Sequence, residues 1–158
     1  MTTMSTKLSS AVGARLRPAA ITDLAAIERL LTASHLPLDG VPEALASFVV
    51  AEANDEIVGV AGLEACCDNA LLRSVAVADG WRSRGVGRAL VERVIAEEEA
   101  RRIHALYLLT TTAERYLPSF AFRKVARDDV PADIRETAEF RGACPASATV
   151  MCRRSSHA

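Results

Sequence analysis

Arg82-Ser83-Arg84-Gly85-Val86-Gly87 is the stretch of this chain best suited to chemistry, and the chemistry is the seating of a phosphate. It follows a β-prone run and opens a segment with helical apolar periodicity. A helix start offers N–H groups without intrahelical partners and the positive end of a dipole. Gly85 and Gly87 carry no Cβ, so an anion can approach the backbone closely there. Arg82, Arg84 and Arg88 ring the same place with positive charge, and guanidinium is a fork matched to phosphate oxygens. Together these features favour a pyrophosphate. Two other phosphate loops fail on residue type. A Walker loop requires Gly-Lys followed by Ser or Thr, which this chain lacks. A dinucleotide fingerprint requires a third glycine where Leu90 stands, inside an early parallel βαβ unit. The competing structural reading is an ordinary loop with glycines at a helix start.

The elements that must position this loop are legible on either side of it. Arg15-Leu16-Arg17 reads as a first strand ended by Pro18. Leu24, Ile27, Leu30 and Leu31 fall at helical spacing, with Thr22 as the expected N-cap and Asp23 in the first turn. Pro37, Gly40 and Pro42 leave room for a loop or a short second helix. Residues 48–52 and 57–64 flank Asn54-Asp55-Glu56 as a hairpin, and a second hairpin leads through Cys67-Asp68-Asn69 into a strand over 70–77. From Gly85 the period changes. Val86, Leu90, Val94 and Ile95 form an apolar stripe, while Arg88, Glu92, Arg93, Glu97 and Glu98 are expected to face outwards, on a helix ending near Arg102. Residues 105–111 read as a buried strand. A short helix over 112–119, a brief strand near Val125, a helix over 131–137 and a closing strand over 148–153 complete the pattern. This order predicts an α+β (mixed α/β) fold rather than a doubly wound sheet.

The chain of 158 residues suits one compact domain, expected over 14–154 behind a loose tail at 1–13. Half the residues are hydrophobic and 25% are charged, which supports a packed core. A formal net charge of −1 gives no bulk electrostatic reason for nucleic-acid binding. No apolar run approaches the roughly 18 to 20 residues of a membrane helix. Cys66, Cys67, Cys144 and Cys152 show no CxxC spacing, and His35, His104 and His157 show no ligand spacing, so no metal site is expected. With no secretory signal, the cysteines are expected to be reduced thiols in the cytoplasm.

The loop resembles the signature of the GNAT (GCN5-related) N-acetyltransferase superfamily: Arg or Gln, two residues, Gly, one residue, then Gly or Ala. Residues 82–87 match it at every position, and the resemblance extends in element order over about residues 14–126. It implies acetyl-CoA as cosubstrate and a mostly antiparallel sheet with splayed strands. It implies that Val75, Ala76 and Val77 line the pantetheine arm, with backbone of Val75 and Val77 pairing to it, between strand 70–77 and strand 105–111. It also implies that Arg82, Ser83, Arg84, Gly85, Val86, Gly87 and Arg88 hold the pyrophosphate. Residues 60–64, 71–77, 108–113 and Cys144-Pro145-Ala146-Ser147-Ala148 are similar to the arsenic-resistance N-acetyltransferase branch. Some members of that branch acetylate the amino group of arsenic- or phosphorus-containing amino acids.

Acetyl transfer to an amine requires a neutral amine, an oxyanion site and a proton for the departing thiolate. Glu64 is the candidate base, against the reading of a solvent-facing charge at a strand end. The Val75 N–H is the candidate oxyanion donor. Arg73, Ser74 and Thr111 are the candidate acceptor-binding residues. Alternation places Arg73 and Ser74 on opposite faces of the strand. Arg73 suits a carboxylate, arsonate or phosphinate, and the alternative is a surface strand arginine. The family's usual tyrosine acid falls on Leu117 here, its neighbouring Gly is replaced by Ala121, and Tyr116 is read as packing. Homodimers are common in the family, and the closing strand is the element that would reach a neighbour. A non-catalytic acyl-CoA-binding module is the competing function.

Overall fold

The computed structural model describes residues 13–66, 68–110, 120–143 and 147–155. In chain order these form β1 (Arg15–Pro18), α1 (Leu24–Ala33), α2 (Val41–Ala44), β2 (Phe48–Ala53), β3 (Glu56–Cys66) and β4 (Asn69–Val77). They continue with α3 (Val86–Ala100), β5 (Ala105–Thr110), β6 (Arg123–Lys124), α4 (Ala132–Arg135) and β7 (Thr149–Arg154). The fold is α+β with mostly antiparallel strands flanked by helices, as the pattern predicts. The chain divides into two compact units, Met1–Gly62 with Ser74–Val94, and Leu63–Arg73 with Ile95–Ala158. The expected tail over 1–12, Cys67, the helix over 112–119, Thr111 and Cys144 lie outside the described residues. Among the described residues no helix is long and apolar enough to cross a membrane.

In the first unit β1 pairs with β2 and β2 with β3, all antiparallel. Asn54 and Asp55 both take positive φ, 53° and 63°, the two-residue hairpin turn that matches strand twist. Ile27, Leu31, Val41, Leu45, Phe48, Val50, Val60 and Ala76 form its core. Two glycines of β3 make room for larger neighbours. A Cβ on Gly62 would fall 2.4 Å from the ring of Phe48, its cross-strand partner, and one on Gly59 would fall 2.9 Å from Leu90 and 3.0 Å from Val86. Gly59 thereby lets the first turns of α3 settle directly on the sheet, which fixes the start of that helix.

The entry to α1 differs from the expected Thr22 cap. Residues Ile21–Asp23 form a 3-10 turn, and Asp23 precedes the helix as its N-cap position. The Asp23 carboxylate accepts from the Ala20 N–H at 2.7 Å and from Arg17 Nη1 at 2.8 Å, while Arg17 Nε bonds Glu52 at 2.9 Å. The Asp23 carboxylate is taken up by these partners and makes no cap bond to the helix, so α1 starts without a side-chain cap. The Arg17 bond holds the Asp23 carboxyl below its ordinary range.

In the second unit the parallel pairing of β4 with β5 covers Asn69–Leu71 against Ala105–Tyr107, although β4 runs on to Val77 and β5 to Thr110. β5 pairs antiparallel with β7 along its whole length, and β7 with β6. Leu71, Ala105, Tyr107, Val130, Ile134, Val150 and Cys152 form the core. Helix α3 ends at Ala100, near the expected Arg102. Arg102 takes φ 57° and the Ile103 N–H returns to the Glu98 carbonyl, the pairing of a Schellman cap. The expected helix over 131–137 is a single turn, Ala132–Arg135, after which the Thr137 N–H and hydroxyl both donate to the Ile134 carbonyl, at 3.1 and 2.7 Å. Glu98, expected to face outwards, is 0% exposed and pairs with Arg153 Nη1 at 2.9 Å.

Ala121, which stands at the family's usual glycine, adopts φ 70°. Left-handed backbone costs an L-residue with a Cβ about 1–2 kcal/mol, partly offset by the entropy glycine adds to the unfolded chain. Ala121→Gly is therefore expected to raise the free energy of unfolding by about 0.5–1 kcal/mol, read from urea denaturation midpoints. A lowered midpoint would exclude strain at this position.

Candidate active site

The loop over 82–88 is built from the end of β4. Within β4, Ser74 takes φ 61°, a break in the extended backbone on which regular alternation depends, and Arg73 and Ser74 are both buried. Beyond that break alternation resumes. Ala76 enters the core, and Val75 and Val77 lie half-buried on the other face. The Ala78 N–H donates to the Val58 carbonyl at 2.8 Å, tying the strand end to β3, and residues Asp79–Trp81 make one 3-10 turn.

Residues 82–85 then turn into α3. Ser83 at φ 66° and Gly85 at φ 86° bend the backbone sharply, and Gly85 occupies a conformation that suits glycine. The Ala89 N–H to Gly85 carbonyl bond, 3.0 Å, closes the first helical turn. Among the described residues a Cβ on Gly87 would meet only Val77 Cγ2, at 3.5 Å. Val77 and the opening of α3 therefore face each other across a space that a side chain at 87 would invade. Arg82, Ser83, Arg84, Gly85 and Arg88 are exposed. This is the donor set a diphosphate requires: backbone N–H groups at a helix start, with guanidinium groups beside them.

The second group of predicted residues meets elsewhere on β3 and β4. Arg73 Nη1 lies 3.0 Å from Glu64 Oε1, and Arg73 Nε lies 3.4 Å from Glu139 Oε2. The Arg73 side chain is 0% exposed, that of Glu139 5%, and that of Glu64 24%. Arg73 is thus a buried guanidinium engaged by two carboxylates, and Glu64 is the member of the cluster open to solvent. Thr111 lies outside the described residues.

Glu139 was not legible as a site residue, since it lies far from Arg73 in sequence inside an irregular turn over Glu139–Ala143. Trp81 packs beside the loop, and the Arg84 guanidinium lies over its ring, 4.7 Å from the centroid.

Of the described cysteines, Cys152 behaves as packing. Cys152 is buried against Tyr107, burial pushes its pKa up, and the same surroundings push the Tyr107 hydroxyl up to about 12. A thiol held protonated is a poor nucleophile and ligand. Among the described residues no group of three or more His, Cys, Asp or Glu is placed to hold a metal ion.

Residues 44–124 match the family model described as the acetyltransferase (GNAT) domain. Solved structures share the fold. Rv2747 from Mycobacterium tuberculosis, in complex with CoA and NLQ, is 22% identical with TM-score 0.75, over 88% of this chain and 98% of that one. N-acetylglutamate synthase from Neisseria gonorrhoeae, complexed with CoA and L-arginine, is 20% identical with TM-score 0.75; the match covers 90% of this chain but 33% of the synthase. The ribosomal-protein-S18-alanine N-acetyltransferase from Escherichia coli is 21% identical with TM-score 0.70, over 92% and 96% of the two chains.

Proposed function

This chain belongs to the GNAT acetyltransferase family, and on that premise we propose that it transfers the acetyl group of acetyl-CoA to the amine of a small amino acid-like acceptor in the cytoplasm. The observation that carries the reading is the loop over 82–88, a helix opening bent at Ser83 and Gly85 and ringed by arginines. Solved neighbours that bind CoA support it. The N–H groups at the opening of α3, with Arg82, Arg84 and Arg88, hold the diphosphate, and the half-buried face of Val75 and Val77 lines the arm. The cosubstrate supplies an acetyl thioester, whose carbonyl oxygen the Val75 N–H stabilises as charge develops.

Glu64 accepts the amine's proton, directly or through one water, as the C–N bond forms; the C–S bond then breaks and CoA leaves as a thiolate that solvent protonates. Its position supports this: it is the solvent-open carboxylate of its cluster, and Arg73 fixes its orientation. An acceptor oxyanion reaching Arg73 would have to displace Glu64 from Nη1, whereas orienting Glu64 requires no exchange. The resemblance of residues 60–64, 71–77, 108–113 and 144–148 to the arsenic-resistance branch makes amino acids bearing an arsenic or phosphorus oxyanion the first acceptors to test.

The test incubates the protein with acetyl-CoA and a panel of amines, amino acid analogues of arsenic and phosphorus included, while free thiol is measured. Turnover on that panel is the expected result. Tight CoA binding without turnover on any amine would instead favour the non-catalytic acyl-CoA-binding module.

A further inference from the structure

The three arginines of the loop are not equivalent. Arg82 Nε donates to the Val77 carbonyl at 3.1 Å and its Nη1 lies 3.3 Å from Asp79, so this side chain folds back on the strand end. Arg88 Nε lies 3.3 Å from Glu92, one turn along α3. Arg84 has no carboxylate at ion-pair distance among the described residues; its Cζ lies over the Trp81 ring, 4.7 Å from the centroid. Trp81 is half-buried and backed by Gly13, where a Cβ would fall 3.3 Å from the ring. Stacking uses the face of the guanidinium and leaves its N–H edge for oxygen acceptors.

We infer that Trp81 is a positioning residue for the cosubstrate: it holds Arg84 poised so that this cation, rather than Arg82 or Arg88, sets the affinity for a phosphate group. The inference rests on the acetyl-CoA reading of the loop. Its physical basis is preorganisation. An exposed arginine gives up rotamer freedom when a ligand fixes it, and a ring that already restrains it removes part of that cost. On this reading the effect of the indole on the ligand passes through Arg84.

The experiment measures CoA affinity by calorimetry for wild type, Trp81→Ala, Trp81→Phe, Arg84→Ala and the Trp81→Ala/Arg84→Ala double variant. Trp81→Ala is expected to raise Kd about threefold to tenfold, from the sizes of an exposed cation–π contact and one immobilised side chain. Trp81→Phe keeps a ring face and is expected to retain most of the affinity. The double variant is expected to bind no worse than Arg84→Ala alone. In steady state Trp81→Ala is expected to raise KM for acetyl-CoA with kcat unchanged, a split that a general loss of folding would not produce. Repeating the series with CoA lacking its ribose phosphate tells which phosphate Arg84 meets: a Trp81 effect that persists assigns the diphosphate, and one that vanishes assigns the ribose phosphate. Wild-type affinity in Trp81→Ala, or additive losses in the double variant, would overturn the inference while leaving the loop's assignment intact. Wild type failing to bind CoA would overturn that assignment itself.

Discussion

Glu64→Gln is expected to lower kcat/KM at neutral pH by about 10²- to 10⁴-fold, the range for loss of a general base. The variant isolates proton transfer from architecture. Glutamine keeps an oxygen able to accept from Arg73 Nη1, so the buried guanidinium is not stranded, and the free energy of unfolding should change by less than about 1 kcal/mol. The deficit is also expected to shrink as pH rises, because an acceptor that arrives as a neutral amine has less need of a base. That sign separates the base from a merely steric role, in which the loss would be the same at every pH. A pH–rate profile parallel to that of wild type would remove Glu64 from the chemistry.

Much of the fold was legible because residue type and period agreed. The loop at 82–87, the stripe of Val86, Leu90 and Val94, and the Asn54-Asp55 turn each carry a local signal that the tertiary structure keeps. What escaped had no local signature, or a misleading one. The break at Ser74 puts an L-residue at positive φ where a β-prone run predicts unbroken alternation, and serine gives no warning of it. Glu139 joins Arg73 across a long sequence separation, and such pairings are set by packing rather than by spacing. Glu98 was misread for a simpler reason. Counted by fours from Val86, Leu90 and Val94, it falls on the apolar stripe, but its charge argued for the surface. The periodicity was the better guide, and a buried carboxylate at that position requires a cation from another element.

That cation is Arg153, and removing it is expected to have the largest effect on stability of any single change in the second unit. Arg153 Nη1 lies 2.9 Å from Glu98 and 2.9 Å from Glu99, joining the closing strand β7 to the last turns of α3. The Ser155 hydroxyl also donates to Glu98 and so extends the tie past the end of β7. Arg153→Ala would leave the Glu98 carboxylate at 0% exposure without its arginine, a loss expected to cost about 3–5 kcal/mol in denaturant unfolding. The pair as a whole stabilises far less than that figure, since desolvating both charges offsets most of their attraction. A double replacement by apolar residues of similar length, Glu98→Met with Arg153→Met, should therefore recover most of the stability that Arg153→Ala loses. The contrast between the two variants carries the argument. Were the double replacement as unstable as Arg153→Ala, the ion pair itself would be what secures β7 to α3; were Arg153→Ala near neutral, Glu98 would not depend on Arg153 for its burial.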